Sequence, residues 1–371
     1  MSAALLSPGA SGPDVSPGSA RSSGSSSAHA ASGAPAAARR AGRRRTRRVL
    51  GALVLLLLVA VGASLTWGGL TGEVLGHLGA LLGLPGGEES FVVGTLRLPR
   101  VAMSVLAGVA FGLSGTLFQT VLRNPLASPD VLGISGGASL AAAWAILVLG
   151  VSGAAVSAAA FGGALTVAAA IYLLSWRGGV SGYRFVLVGV SLAFAVSSGL
   201  GYLLTRAAVD EVRAVLVWTV GSIGTPRWSA VGLLAGALVV LAPAVAVAAH
   251  RLRALELGDD LAGGLGVRPD LARLGVLAVG VALAAVATSQ VGPIAFVAFV
   301  SGPIARRLLP GTGPALPASA LVGAVVVVLA ELVAQHGLGS LEVPVGIVTG
   351  LVGAPYLLWL LATLNRKGRG A

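Results

Sequence analysis

Long apolar runs, each close to the length a bilayer demands, alternate along the chain with short polar or proline-bearing breaks. A hydrocarbon core of about 30 Å needs about 20 helical residues to cross it. On that measure ten spans are marked off, near residues 49–66, 98–121, 131–149, 152–175, 183–205, 228–249, 271–289, 294–309, 315–336 and 344–364. The pattern predicts an all-α polytopic membrane protein. Its sharpest internal break is Gln119 to Ser139, QTVLRNPLASPDVLGISGGAS. Pro125 and Pro129 lack a backbone N–H, and the residue before each is biased away from helix. Asn124, Ser128 and Asp130 are types that cap helices or make turns. One helix is therefore expected to end here and another to begin.

Residues 1–48 have a different texture, rich in Ser, Ala, Gly and Pro and closing on the basic cluster RRAGRRRTRR. They read as a disordered cytoplasmic tail. Arg47-Arg48 before an apolar run could suggest an export signal, but no A-x-A-like cleavage site closes the run, so an uncleaved first span is expected. With the tail placed inside, 20 of the 25 basic residues fall on the cytoplasmic side; only Arg97, Arg100, Arg206, Arg213 and Arg227 fall outside. That asymmetry is the one the positive-inside rule describes. The basic end at 366–371 calls for an even number of spans and a cytoplasmic C-terminus.

Composition agrees: 56% of the 371 residues are hydrophobic and 10% charged, against about 25% charged in soluble domains. The 55 glycines suit helices packed by close backbone approach, as in the small-xxx-small pairs Gly108/Gly112 and Gly346/Gly350.

Without a cysteine, disulfides and thiolate metal or iron–sulfur sites are excluded. His29, His77, His250 and His336 stand singly, so no metal site and no cofactor is expected. The one lysine, Lys367, precedes Gly368; a phosphate-cradling G-x-x-x-x-G-K-[ST] loop is absent, and the chain does not hydrolyse ATP itself. An ion-coupled carrier would place ionisable groups near mid-membrane. The spans hold almost none, Glu331 being the main exception. An intramembrane enzyme would need a dyad or metal cluster that is not visible.

Between the sixth and seventh spans, Leu255 to Asp270 (LELGDDLAGGLGVRPD) is polar enough to leave the membrane. It carries Leu257, Leu261, Ala262 and Leu265 at helical spacing, a small apolar face that needs a partner to cover it. Asp259 and Asp260, about 100° apart on a helix, do not form an acid pair.

Four blocks, in order, resemble the permease subunits of ABC importers for iron–siderophore complexes and vitamin B12, the FecCD-type family. They are Arg97-Leu98-Pro99-Arg100; the Gln119 to Ser139 turn with Gln119, Asn124, Pro125, Pro129, Gly133 and Gly136; the segment with Leu257-Gly258, Ala262 and Leu265-Gly266-Val267; and the C-terminal third. In that third, Gly292 to Val297 is similar to G-x-I-x-F-V, followed by Arg306. Glu342-Val343-Pro344-Val345-Gly346-Ile347-Val348-Thr349-Gly350, then Gly353-Ala354-Pro355, is similar to E-x-P-V-G-I-x-T…G-x-P.

The resemblance implies a ten-helix, type II importer fold over residues 49–365. It implies a second permease subunit, identical or related, two ATP-binding subunits and an extracytoplasmic binding protein in the cell membrane. Arg97 and Arg100 would dock acidic groups on that binding protein. Glu256, Leu257, Gly258, Leu261, Ala262, Leu265 and Gly266, within the coupling segment 255–270, would insert into a groove of the ATPase.

Ala298 to Pro303 is more similar to the catecholate-siderophore branch, so a ferric enterobactin-like cargo is favoured over vitamin B12 or haem. The chain departs from the pattern at Gly302-Pro303, where Pro-His is common, and at Gln335, where arginine is common. The second departure puts outer-rim salt bridges in the second half in doubt.

Overall fold

A computed structural model describes residues 25–66, 92–176, 182–337 and 343–368. Twelve α-helices are present among them. The first, α1 (Ser25–Thr66), begins within the basic stretch that precedes the first apolar run. This stretch is dense in Ala and Arg, both strong helix formers, which offset the glycines and Pro35. Residues 1–24 lie outside the described residues. The chain divides into two units, Met1–Thr46 and Arg47–Ala371, and the architecture below is that of the second.

A short π-helical run, Val92–Arg97, leads into α2 (Leu98–Val121), with Pro99 in the first turn, where its missing N–H is harmless. Then come α3 (Ile134–Leu147), α4 (Ala154–Ser175), α5 (Gly182–Arg206), α6 (Val209–Val220), α7 (Trp228–Leu255), α8 (Asp259–Gly264), α9 (Pro269–Val291), α10 (Val297–Leu308), α11 (Leu316–His336) and α12 (Val345–Gly368). Among the described residues, seven helices are long and apolar enough to cross a membrane. The spans expected at 131–149 and 294–309 are shorter helices, α3 and α10, because left-handed Gly133 and Phe296 start them late.

Helix α2 is the centre of the bundle. It packs against α7, α9, α10 and α11, and Phe111, Leu117 and Phe118 on it are fully buried. One core gathers Leu117 and Phe118 with α3, α4 and α9; another gathers Met103 and Phe111 with α7, α9 and α11. Glycine sets the α2–α11 distance. A Cβ at Gly108 would collide with the Gly323 carbonyl, and one at Gly112 with the Ser319 carbonyl. The expected small-xxx-small pair is thus a backbone-to-backbone contact, whereas Gly350 faces open space.

The peripheral helices leave apolar faces uncovered: Tyr183 and Phe194 on α5, Val239 and Val240 on α7, Leu351 and Leu358 on α12. Helix α6 was not expected. Its end is clamped by two other elements, since Ser222 N–H donates to the Val291 carbonyl at 2.9 Å and Gly346 N–H to the Gly221 carbonyl at 3.1 Å. Gly346 has no room for a side chain, because a Cβ there would strike the Val220 carbonyl.

Candidate functional site

The two ends of the bundle carry different chemistry. At one end lie the start of α2, the end of α11 and the start of α7. Arg97 donates from Nη1 to the Leu65 carbonyl at 2.6 Å, in the last turn of α1, where the helix dipole favours a cation. Arg100 Nε donates to Glu331 Oε1 at 2.6 Å, and Gln335 Nε2 donates to the same oxygen at 2.8 Å. Glu331, the main ionisable exception within the apolar spans, is therefore the counter-ion of Arg100. Gln335 thus supports the ion pair at this end of the bundle. Both arginines remain partly exposed.

A cavity of about 1170 Å3 opens near this end between α2, α4, α6, α7 and α9. Its walls are mostly apolar or small, with Ser157, Thr225, Ser229 and Gln290 among the polar groups and Arg227 the one cation among the described residues.

At the opposite end, the Gln119 to Ser139 turn is held by its own polar groups. Asn124 Oδ1 accepts from Leu126 N–H at 2.9 Å, Ser128 Oγ from Val131 N–H at 3.3 Å, and the Pro129 carbonyl from Ile134 N–H at 3.1 Å. Gly133, at φ 80°, starts α3; it lies so close to Ala193 on α5 that a Cβ would be 2.8 Å from the Ala193 Cα. Gly136 is looser, 3.3 Å from Val196 by the same measure.

Buried Gln119 reaches out of α2 to two points on α10. Its Nε2 donates to the Phe299 carbonyl at 2.9 Å, and its Oε1 accepts from Arg306 Nη2 at 2.9 Å. Asp130 Oδ1 accepts from the Ser135 hydroxyl, while Oδ2 is shielded and has no partner among the described residues. Burial pushes the Asp130 carboxyl up to about 6, against the lowering effect of Ser135.

The segment after α7 shows its apolar face. Gly258 at φ 99° and Gly266 at φ 80° bracket α8, conformations open to glycine without the penalty a Cβ brings. Leu257, Leu261 and Leu265 are 56%, 62% and 66% exposed and recur every four residues, while Ala262 is buried. Glu256 is also exposed. Arg273 on α9 holds the segment through Asp259 at 2.6 Å and Asp270 at 3.8 Å, and it keeps the Asp259 carboxyl below its ordinary range. Arg123, with a strained φ of 49°, donates to the Leu255 carbonyl at 3.1 Å and so ties the turn to this segment.

Of the other expected residues, Pro125 and Pro344 sit in non-helical backbone beside their motifs, and Glu342 lies outside the described residues. No group of three or more His, Cys, Asp or Glu able to hold a metal occurs among the described residues.

Residues 52–363 match the profile of the FecCD transport family. The chain is 35% identical over 300 residues to the ferric enterobactin transport system permease protein FepG of Escherichia coli (strain K12), covering 81% of this chain and 91% of that one. It is 38% identical over 292 residues to the Fe(3+)-citrate import system permease protein YfmE of Bacillus subtilis (strain 168), covering 77% and 86%. Identity to the iron(3+)-hydroxamate import system permease protein FhuG of the same organism is 32% over 331 residues, covering 85% and 97%. A solved chain described as a metal-chelate type ABC transporter in an inward-facing conformation superposes with a TM-score of 0.73 at 24% identity, over 85% of this chain and 99% of the other.

Proposed function

The chain belongs to the FecCD transport family, and on that premise we propose that it is the permease subunit of an ATP-driven importer carrying a ferric siderophore across the cytoplasmic membrane. The observation that carries the ATP-driven part is the leucine stripe Leu257, Leu261 and Leu265. Three leucines more than half exposed on a segment bracketed by left-handed glycines form a face that requires burial against another protein. Since the chain has no phosphate loop, that partner is the separate ATP-binding subunit. Arg273 and Arg123 transmit its movement to α9 and to the turn before α3.

A catecholate cargo of the enterobactin type is favoured, supported by the likeness to FepG. An iron–citrate or other carboxylate chelate is the second reading, supported by the 38% identity to YfmE. The iron would arrive already complexed. Arg97 and Arg100 each have one nitrogen tied internally and are partly exposed, so docking of an acidic binding protein would use their remaining nitrogens. The exposed faces of α5 and α12 would meet a second permease subunit, and both termini would be cytoplasmic.

The test is uptake of radioactive iron, presented in turn as catecholate, citrate and hydroxamate chelates, by cells lacking the chain and cells with it restored. Loss and recovery of one class alone names the cargo. Iron uptake indifferent to the chain for every chelate rejects the proposal.

A further inference from the structure

The cavity of about 1170 Å3 between α2, α4, α6, α7 and α9 is graded in polarity along its depth. Its rim carries Ser152 before α4, Thr225 and Arg227 before α7, and Gln290 near the end of α9. Deeper in, the walls are Phe161, Leu233, Ala237 and Val286. Ala237 stands ten residues beyond Arg227 on one continuous helix, a depth of about 15 Å by helical rise. No carboxylate lines the cavity among the described residues. The ion pairs among those residues belong to Arg100 and Arg273, so Arg227 has no counter-ion there, and it is exposed.

Two observations say from where this space is filled. Leu233 lines the cavity and is 56% exposed, and Val240, two turns further along the same face of α7, is 76% exposed outside it. The cavity wall therefore runs on into uncovered apolar surface, which in a membrane faces hydrocarbon. Beside Arg227, Trp228 is 53% exposed, and its Nε1 donates to the Gly94 carbonyl at 3.1 Å; a tryptophan at a helix end marks headgroup depth. The volume exceeds the roughly 300–1,000 Å3 of ordinary small-molecule pockets. We propose that the cavity binds a membrane phospholipid, its phosphate on the Arg227 guanidinium and one acyl chain laid along Leu233 and Ala237 towards Phe161 and Val286. A planar fork of donors suits a phosphate, and the apolar depth suits the chain. Since Trp218 of α6 forms part of the wall, the bound chain also props the helix whose end is clamped by Val291 and Gly346.

The experiment uses the full chain in maltoside micelles, titrated with phosphatidylglycerol that carries a diazirine at the end of one acyl chain, and maps the photocrosslinks by peptide mass spectrometry. The diacylglycerol of the same chains, which lacks the phosphate, is titrated in parallel. Saturable labelling is expected on the α4 peptide with Phe161 and the α7 peptide with Ala237, denser than on the uncovered faces of α5 and α12. Arg227→Gln should raise the half-saturating concentration of phosphatidylglycerol at least about tenfold and leave that of diacylglycerol unchanged, a difference that misfolding would not produce. Ala158→Trp, at an exposed wall position on α4, should remove labelling by both lipids, whereas Val240→Trp, outside the cavity, should remove neither. Labelling no denser in the cavity than on α5 and α12, equal affinity for the two lipids, or indifference to both Arg227→Gln and Ala158→Trp overturns the proposal. Displacement of the lipid by a ferric catecholate chelate would give the cavity to the cargo and overturn it as well.

Discussion

Arg100 and Glu331, 231 residues apart, are joined at 2.6 Å between α2 and α11. The side chain of Glu331 is 4% exposed and that of Arg100 20%, so each leaves the other largely desolvated and uncompensated if it is removed. Glu331→Ala is expected to destabilise the fold by roughly 2 kcal/mol, read from unfolding midpoints in bicelles. The double variant Arg100→Met with Glu331→Leu should recover much of that loss, because it removes both charges at once. A double variant no better than the single one would show that the pair does not act as a unit.

The α2–α11 contact makes a second prediction. Gly108→Val forces a branched side chain into the Gly323 carbonyl and the Ala324 backbone, and overpacking of this kind costs about 1–3 kcal/mol or more. Gly350→Val, in open space, is the control and should leave expression and melting behaviour unchanged. Equal loss at both sites would point to helix propensity rather than to close packing.

Exposure decides the third. Leu261 is 62% exposed, so Leu261→Glu should change stability by no more than about 0.5 kcal/mol. It should nonetheless abolish co-purification of the ATP-binding subunit and iron uptake. Normal uptake by a variant that also charges Leu257 and Leu265 would remove the apolar stripe from the coupling mechanism.

The parts of this architecture that were legible in the sequence are those written locally. Pro125, Pro129 and Gly133 mark where α2 stops and α3 starts because proline and glycine restrict or free the backbone wherever they stand. The leucine spacing of 257, 261 and 265 likewise survives as an exposed stripe. Helix α6 escaped notice because Asp210, Glu211 and Arg213 make a short segment look like a polar connection, although its end is held by Val291 and Gly346 from far along the chain. The partners Gln119 and Arg306 are 187 residues apart, and no local pattern announces such a pair. Nothing local to Arg97 and Arg100 announces their partners, because the Leu65 carbonyl and Glu331 come to them only through tertiary packing.

Asp130 carries the pH prediction. Its carboxyl sits in the turn between α2 and α3 and is pushed from 3.8 up to about 6, chiefly by burial, with the Ser135 hydroxyl opposing the shift. A carboxyl raised in the folded state favours the protonated, folded form. Its contribution to stability is complete below pH about 4, where the unfolded chain is also protonated. It is lost as pH rises through about 6, because the folded protein must then hold an anion whose Oδ2 has no partner. The difference is on the order of 2 kcal/mol between pH 4 and pH 7. Unfolding midpoints should therefore fall across that window in the wild type, after subtraction of the pH response shared by Asp130→Asn. The variant, uncharged throughout and still able to accept from Ser135, should be the more stable of the two at pH 7 and close to the wild type at pH 4. Parallel pH profiles for the two proteins would mean that Asp130 titrates as an ordinary exposed acid, and that its unpartnered oxygen finds water.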